Sequence, residues 1–167
     1  MSQLRYPLEQ LIIIKKNRFD QAVKTLEEKK KILEQAYEKL YDLTQERDEI
    51  AKHKEAKLKQ IHEAFDEGAS MPKIQQMKIY LKTVQEKLEG AQKKVVSQKR
   101  EVDVAQTQVD KATEELFARK KDLEKLEIHR GEWEKEVRYF TERQDAIEGD
   151  ELGSASFTRK KLNQQKP

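Results

Sequence analysis

The chain has 167 residues, 40% of them charged and 35% hydrophobic, with five glycines, three prolines and no cysteine. Typical globular domains run near 25% and 45–50%. The apolar material for a broad core is therefore missing, and so few turn residues exclude a β-sandwich, a barrel or an α/β fold. Thirty-five basic residues against 32 acidic ones leave a formal charge of +3, too balanced to mark a nucleic-acid binder. Without cysteine there is no disulfide, thiolate metal site or cysteine nucleophile.

The sequence opens without the apolar core of a secretory signal, roughly 7–15 residues long. Its longest wholly apolar run, Leu11 to Ile14, is far below the roughly 18 residues of a membrane span. The expected compartment is the cytoplasm, peripheral to any membrane. Taken from the N-terminus, the punctuation predicts a helix over 8–66, a turn over 67–71, a helix over 72–148 and a flexible basic tail over 149–167. Pro7 precedes the first helix. Gly68 suits a left-handed helix stop, Ser70 an N-cap, and Pro72 the first turn of the second helix. Gly149 to Ser156 has the composition of a disordered segment, and Arg159, Lys160 and Lys161 supply its charge.

The heptad pattern is clearest in the second helix. Alternate steps of three and four from Ile74 meet Met77, Leu81, Val84, Leu88, Ala91, Val95, Gln98, Val102, Ala105, Val109 and Ala112, then continue to Ile147. Gln98, Arg119, Arg130 and Gln144 are the polar positions on this stripe. In the first helix, stepping from Phe19 gives Val23, Leu26, Lys30, Leu33, Tyr37, Leu40, Thr44, Leu58, Ile61 and Phe65 among others. A drift of the stripe is expected between Thr44 and Lys54. Two sustained stripes argue for a coiled coil, and the short turn makes it antiparallel. The fold class is all-α, a long antiparallel two-helix coiled-coil hairpin.

Turning the chain near Gly68 sets facing residue numbers to sum to about 138. Phe65 then faces Ile74, Leu58 faces Leu81, Tyr37 faces Val102, and Ile12 reaches Leu126. At 1.5 Å per residue the helices would run roughly 90 and 115 Å. Trp133, Val137, Phe140 and Ile147 are left without a facing helix, while Tyr6, Leu8, Leu11, Ile13 and Ile14 offer more apolar surface than one helix covers. Such a cluster marks an interaction site, a fold-back of the N-terminal segment, or a weak homodimer. Acid-before-base pairs at i,i+4, such as Asp48/Lys52, Glu89/Lys93 and Glu134/Arg138, read as a solvated helix face.

Nothing in the sequence forms a catalytic constellation. His53, His62 and His129 belong to no metal-binding motif and read as surface residues, and there is no phosphate-binding glycine loop. No cofactor, metal or small-molecule substrate is expected. Basic clusters such as Lys29-Lys30-Lys31 are diluted by acids, which argues against nucleic acid as a partner.

The opening Arg5-Tyr6-Pro7-Leu8-Glu9-Gln10-Leu11-Ile12-Ile13-Ile14-Lys15-Lys16-Asn17-Arg18-Phe19 resembles the start of YscO-type type III secretion proteins, relatives of the flagellar FliJ protein. In length and layout the whole chain is similar to the chlamydial member of that family. Lys15 and Lys16 stand where the family pattern would place an arginine. The resemblance implies a non-enzymatic stalk or adaptor. It would enter a hexameric secretion ATPase, reach the export gate, and handle secretion chaperones or a needle-length regulator. Under that reading Lys15, Lys16 and Arg18 would meet acidic groups of the ATPase, with Tyr6, Leu8, Trp133, Val137 and Phe140 packing nearby. Ile79 and Tyr80, off the second stripe, would meet the gate. The alternatives are a self-associating coiled-coil scaffold and an RNA-binding hairpin arm.

Overall fold

The structure, a computed structural model, describes residues 4–165. It holds two helices, α1 (Glu9–Asp66, 58 residues) and α2 (Met71–Gln164, 94 residues). They pack against each other as an antiparallel helical hairpin, with no strand among the described residues. Two compact units divide the chain: Ala22–Leu116, and Met1–Gln21 together with Phe117–Pro167.

The unit Ala22–Leu116 contains the turn. Gly68 takes a φ of 76°. Its amide donates to the Phe65 carbonyl at 3.1 Å, and the Ala69 amide donates to the Ala64 carbonyl at 2.9 Å. This pair of bonds is a Schellman motif, which satisfies carbonyls that the helix end would otherwise orphan. The Ser70 carbonyl then accepts from Ile74 at 3.1 Å, opening α2 with Pro72 in its first turn, where a missing amide hydrogen costs nothing.

The α2 stripe lies where the heptad reading puts it. Ile74, Val84, Ala91, Val95, Gln98, Val102, Ala105, Val109 and Ala112 are buried. The α1 stripe differs from expectation. Its covered residues include Ala22, Leu26, Lys29, Leu33, Ala36, Leu40, Leu43, Arg47, Ile50, Lys54, Lys57, Ile61 and Ala64. One alternation of fours and threes runs through all of them, and between Leu43 and Lys54 the covered band widens to take in Thr44, Asp48 and Ala51 as well. Tyr37, Leu58 and Phe65, expected to face Val102, Leu81 and Ile74, are instead exposed, Phe65 to 66%. The register explains why. Opposite these bulky α2 residues it places Ala36, Lys57 and Ala64. Small side chains, or a lysine stem that snorkels outward, fill the space left between the helices. A frame chosen by side-chain size slips one residue toward larger neighbours.

Gln98 is the buried polar residue of the seam, 3% exposed, and its Nε2 donates to the Ala36 carbonyl across the hairpin at 3.0 Å. A hydrogen-bonded polar side chain inside an apolar seam penalises slips that bring a larger residue than Ala36 opposite it, because the amide then cannot reach the backbone. Arg47 Nη1 donates to Gln92 Oε1 at 3.3 Å farther along the same unit.

In the unit formed by Met1–Gln21 and Phe117–Pro167, Ile12 is buried, and Lys15, Phe19, Leu123, Leu126, Trp133 and Val137 are half-buried. The α2 helix does not stop near Gly149 as composition suggested. It runs through Gly149 and Gly153 to Gln164, with residues 141–165 exposed. Each glycine costs only about 1 kcal/mol in a helix, and no proline interrupts the sequence between Pro72 and Pro167. Residues 166 and 167, the end of the expected tail, lie outside the described residues.

The two kinds of glycine separate in a stability measurement. A Cβ at Gly68 or at Gly90 would meet nothing within 4 Å, so backbone conformation alone decides. Gly68→Ala should destabilise by about 1 kcal/mol, because a left-handed residue now carries a Cβ. Gly90→Ala should stabilise by a similar amount through helix propensity. Chemical denaturation of the two variants checks the opposite signs.

Candidate partner interface

The unit that joins the two chain ends holds a set of side chains that interlock across the two helices. Its starting point is local. The Glu9 amide donates to the Tyr6 carbonyl at 3.2 Å and the Ile12 amide to the Leu8 carbonyl at 3.0 Å. Tyr6-Pro7-Leu8 is thereby a turn that feeds α1, and Glu9 in the first helical turn suits the positive end of the helix dipole. The turn directs the Tyr6 ring onto α2.

Tyr6 is buried to 5% exposure. Its hydroxyl is hydrogen-bonded to Nδ1 of His129, and its ring meets Trp133 edge-on at 5.3 Å between centroids. Edge-to-face packing with a satisfied hydroxyl is the favourable way to bury a tyrosine. One residue away in the seam, Arg130 spans both helices. Its Nη1 donates to Glu9 at 3.3 Å and its Nε to Glu134 at 3.1 Å. Two turns along α1, Lys15 pairs with Asp122 at 3.2 Å and is 22% exposed. Tyr6, Glu9 and Lys15 thus close the N-terminal segment onto α2 as a clasp.

The fork of Arg130 also explains a departure from the expected surface pairs. Glu134 is taken by Arg130 rather than Arg138, because a planar guanidinium can serve Glu9 and Glu134 at once. Asp48 likewise pairs with Arg47, and Glu89 accepts from Gln85.

The residues predicted to contact partners therefore fall into groups. Tyr6, Trp133 and Val137 come together around one groove, with Pro7, Arg138 and Thr141 on its rim. Tyr6 is spent inside the chain, which is the fold-back that the apolar cluster allowed. Lys15 is engaged by Asp122. Lys16 and Arg18 are exposed, and neither forms an ion pair among the described residues. Leu8, Leu11, Ile13 and Ile14 stay 37–47% exposed beside them, and Phe140 is 70% exposed. In the other unit, Ile79 is 66% exposed. The Tyr80 hydroxyl lies 3.0 Å from His53 Nε2, and Lys57 Nζ sits 5.5 Å from the ring centre. Tyr80 is thus half engaged by α1, while Ile79 is free.

Sequence reading missed His129, Asp122 and Arg130 as clasp residues. The signal was present in the register. Residues 6 and 133, 9 and 130, and 15 and 122 pair at sums of 139, 139 and 137, close to the expected 138.

Among the described residues no group of His, Asp and Glu could hold a metal ion, and no helix is long and apolar enough to cross a membrane. What the fold defines is a class: an antiparallel helical hairpin, sealed along its own seam and clasped at the chain ends, with exposed apolar and basic residues beside the clasp. The chain belongs to the YscO-like protein family, whose model matches residues 3–165. It is similar to the solved structure of a YscO homolog from Chlamydia trachomatis, with 36% sequence identity, 98% of this chain and 100% of the other covered, and a TM-score of 0.86. No curated protein matches the sequence. Membership makes this a protein of type III secretion, in a family of structural components of the secretion system.

The clasp is testable through Trp133, the one tryptophan of the chain. Tyr6→Phe keeps the ring and removes the hydroxyl, and should cost about 1 kcal/mol. Tyr6→Ala removes the edge contact as well. It should cost clearly more, and the indole emission should shift to the red as water reaches Trp133.

Proposed function

We propose that this chain is a non-enzymatic stalk and adaptor of a type III secretion system that works in the cytoplasm against the membrane-embedded apparatus. Its first partner is the secretion ATPase, and the docking surface is the exposed face of α1 just after the clasp. The observation that carries this reading is the pairing of unengaged charge with uncovered apolar area on one short segment. Leu11, Ile14 and Arg18 follow helical i, i+3, i+7 spacing on one flank of the seam, and Ile13 and Lys16 lie on its other flank. An acidic, partly apolar groove on a hexameric ATPase is the complementary surface. Unpaired basic groups would steer the encounter and apolar residues would hold it. A seam already filled within one chain supports the role, because the hairpin needs no symmetric copy of itself before entering a ring.

The export gate, secretion chaperones and a needle-length regulator are the further partners of this reading. Ile79 is the residue offered to the gate in the unit that contains the turn, with Tyr80 held beside it by His53 and Lys57. Phe140, together with the groove edge at Val137, supplies apolar area for a second contact near the clasp.

The arrangement sets an order among the basic residues that sequence spacing did not. Lys16→Glu with Arg18→Glu should weaken binding to the hexameric ATPase at least about tenfold, as loss of two steering charges and their reversal would. Lys15→Ala should leave that binding within about twofold while lowering thermal stability slightly, since a part-exposed ion pair contributes about 1 kcal/mol or less. Unchanged affinity in the Lys16/Arg18 double variant, measured by pull-down and by ATPase stimulation, removes the assignment.

A further inference from the structure

Residues 141–164 of α2 are helical and exposed along their whole length. The α1 helix begins at Glu9, opposite Arg130, so the register offers this stretch no partner from α1. Its charges are also sorted as nowhere else in the chain. Residues 142–151 carry Glu142, Asp145, Glu148, Asp150 and Glu151 against one base, Arg143. From Leu152 onward there is no acid, and Arg159, Lys160 and Lys161 follow. Glu142, Asp145, Glu148 and Glu151 stand at i,i+3 intervals, a like-charge ladder that weakens a lone helix. Gly149 and Gly153 weaken it further.

We infer that this segment is a homodimerisation element, which pairs antiparallel with the same segment of a second copy about a two-fold axis between Ser154 and Ala155. Three features of the pattern converge on that geometry. First, Ile147, Glu151, Ser154, Ala155, Thr158 and Leu162 lie within one arc of about 100° on the helix. Inverting the second copy about the axis sets Ile147 against Leu162, Glu151 against Thr158, and Ser154 against Ala155. The small central pair permits close approach of the helices, and apolar residues close the interface at both ends. Second, the flanks of this face are charged in matching sense. Glu148 and Arg159 lie on one edge, Asp150 and Lys161 on the other. The two-fold brings each edge against itself, so Glu148 meets Arg159 of the second copy and Asp150 meets Lys161 of the second copy. Third, the alternative parallel arrangement sets the acidic block against an acidic block and the basic against a basic, which like-charge repulsion disfavours. The inference concerns a different surface from the ATPase reading and stands without it.

The absence of cysteine and the exposure of every residue involved make the test clean. Sedimentation of the full chain across the micromolar range should show self-association at low salt that weakens as salt screens the charges. Arg159→Glu with Lys161→Glu should weaken the dimer about tenfold, and so should Glu148→Lys with Asp150→Lys, because each turns four attractive pairs into repulsive ones. Mixing the two double variants should restore dimerisation as a heterodimer, since every pair is then opposite in sign. Ala155→Cys should form an interchain disulfide on mild oxidation, whereas Thr141→Cys should not. Circular dichroism confirms that each variant keeps its helices. A chain monomeric at every concentration overturns the inference. So does a dimer indifferent to both reversals or broken by Ile14→Asp instead, a failure of mixing to restore association, or equal cross-linking at 141 and 155.

Discussion

Gln98 lies at a d-like position of the α2 stripe with its amide donating to the Ala36 carbonyl on the opposite helix. Apolar coiled-coil faces are tolerant of sliding, because one leucine layer resembles the next. A hydrogen-bonded amide is less tolerant, because a Gln98 displaced onto a larger residue than Ala36 could not reach the backbone and would be buried without a partner at a cost of roughly 1–3 kcal/mol. The Schellman turn at Gly68 acts on the same quantity from the other direction. By fixing how many residues the reversal consumes, it fixes which layer of α1 meets which layer of α2. Turn and amide agree on one register, and that consistency lets two helices of modest hydrophobicity pack in a single way.

The seam is asymmetric in a way that follows from its register. The buried residues of the Ala22–Leu116 unit come mostly from α2, whereas α1 contributes only Ala22 and Ile61 at that level of burial. On the seam side, α1 otherwise presents alanines, leucines and the aliphatic stems of Lys29, Lys54 and Lys57, all half-buried. A lysine stem shields a valine while its ammonium group stays in water. Helix α1 thereby helps seal the core and keeps a charged outer face with the same residues, which suits a hairpin expected to sit among other proteins without aggregating. The exposed aromatic residues Tyr37, Tyr41, Phe65 and Phe117 are scattered along both helices, as ordinary surface hydrophobics are.

How much of this could be seen in the sequence depended on whether a signal was local or relational. The turn was legible because Gly68, Ser70 and Pro72 each act on their own backbone. The α2 stripe was legible because nearly every position on it is apolar. The α1 stripe was read one place out at alternate layers, because Tyr37, Leu58 and Phe65 look more like core than Ala36, Lys57 and Ala64. Only the size of the facing α2 residue decides between them. The clasp was partly legible: Tyr6 and Trp133 stood out as apolar, but His129 and Asp122 acquire a role only once the register brings Tyr6 and Lys15 to them. The end of α2 was misjudged because Gly149, Gly153 and three serines or alanines look like linker. Gly149 and Gly153, two of the four glycines in a helix of 94 residues, are a small penalty beside the absence of any proline after Pro72 within it.

The same register that closes the hairpin also determines what it leaves open. With facing numbers summing near 138 and α1 starting at Glu9, the seam has no α1 residue to offer α2 much beyond Arg130. Tyr6 extends the cover by one layer, to Trp133, by turning its ring across. Past that point the stripe continues through Val137, Phe140 and Ile147 with nothing from α1 opposite, and the side chains there become exposed in step. The uncovered end of the stripe and the uncovered charged helix beyond it are therefore two consequences of one length mismatch between α1 and α2. They differ in chemistry. Near the clasp the uncovered stripe residues are apolar, Val137 and Phe140. Beyond Thr141, acids and bases are separated along one helix, and such a sequence complements its own inverse. The mismatch thus leaves one apolar surface and one stretch whose charges complement their own inverse.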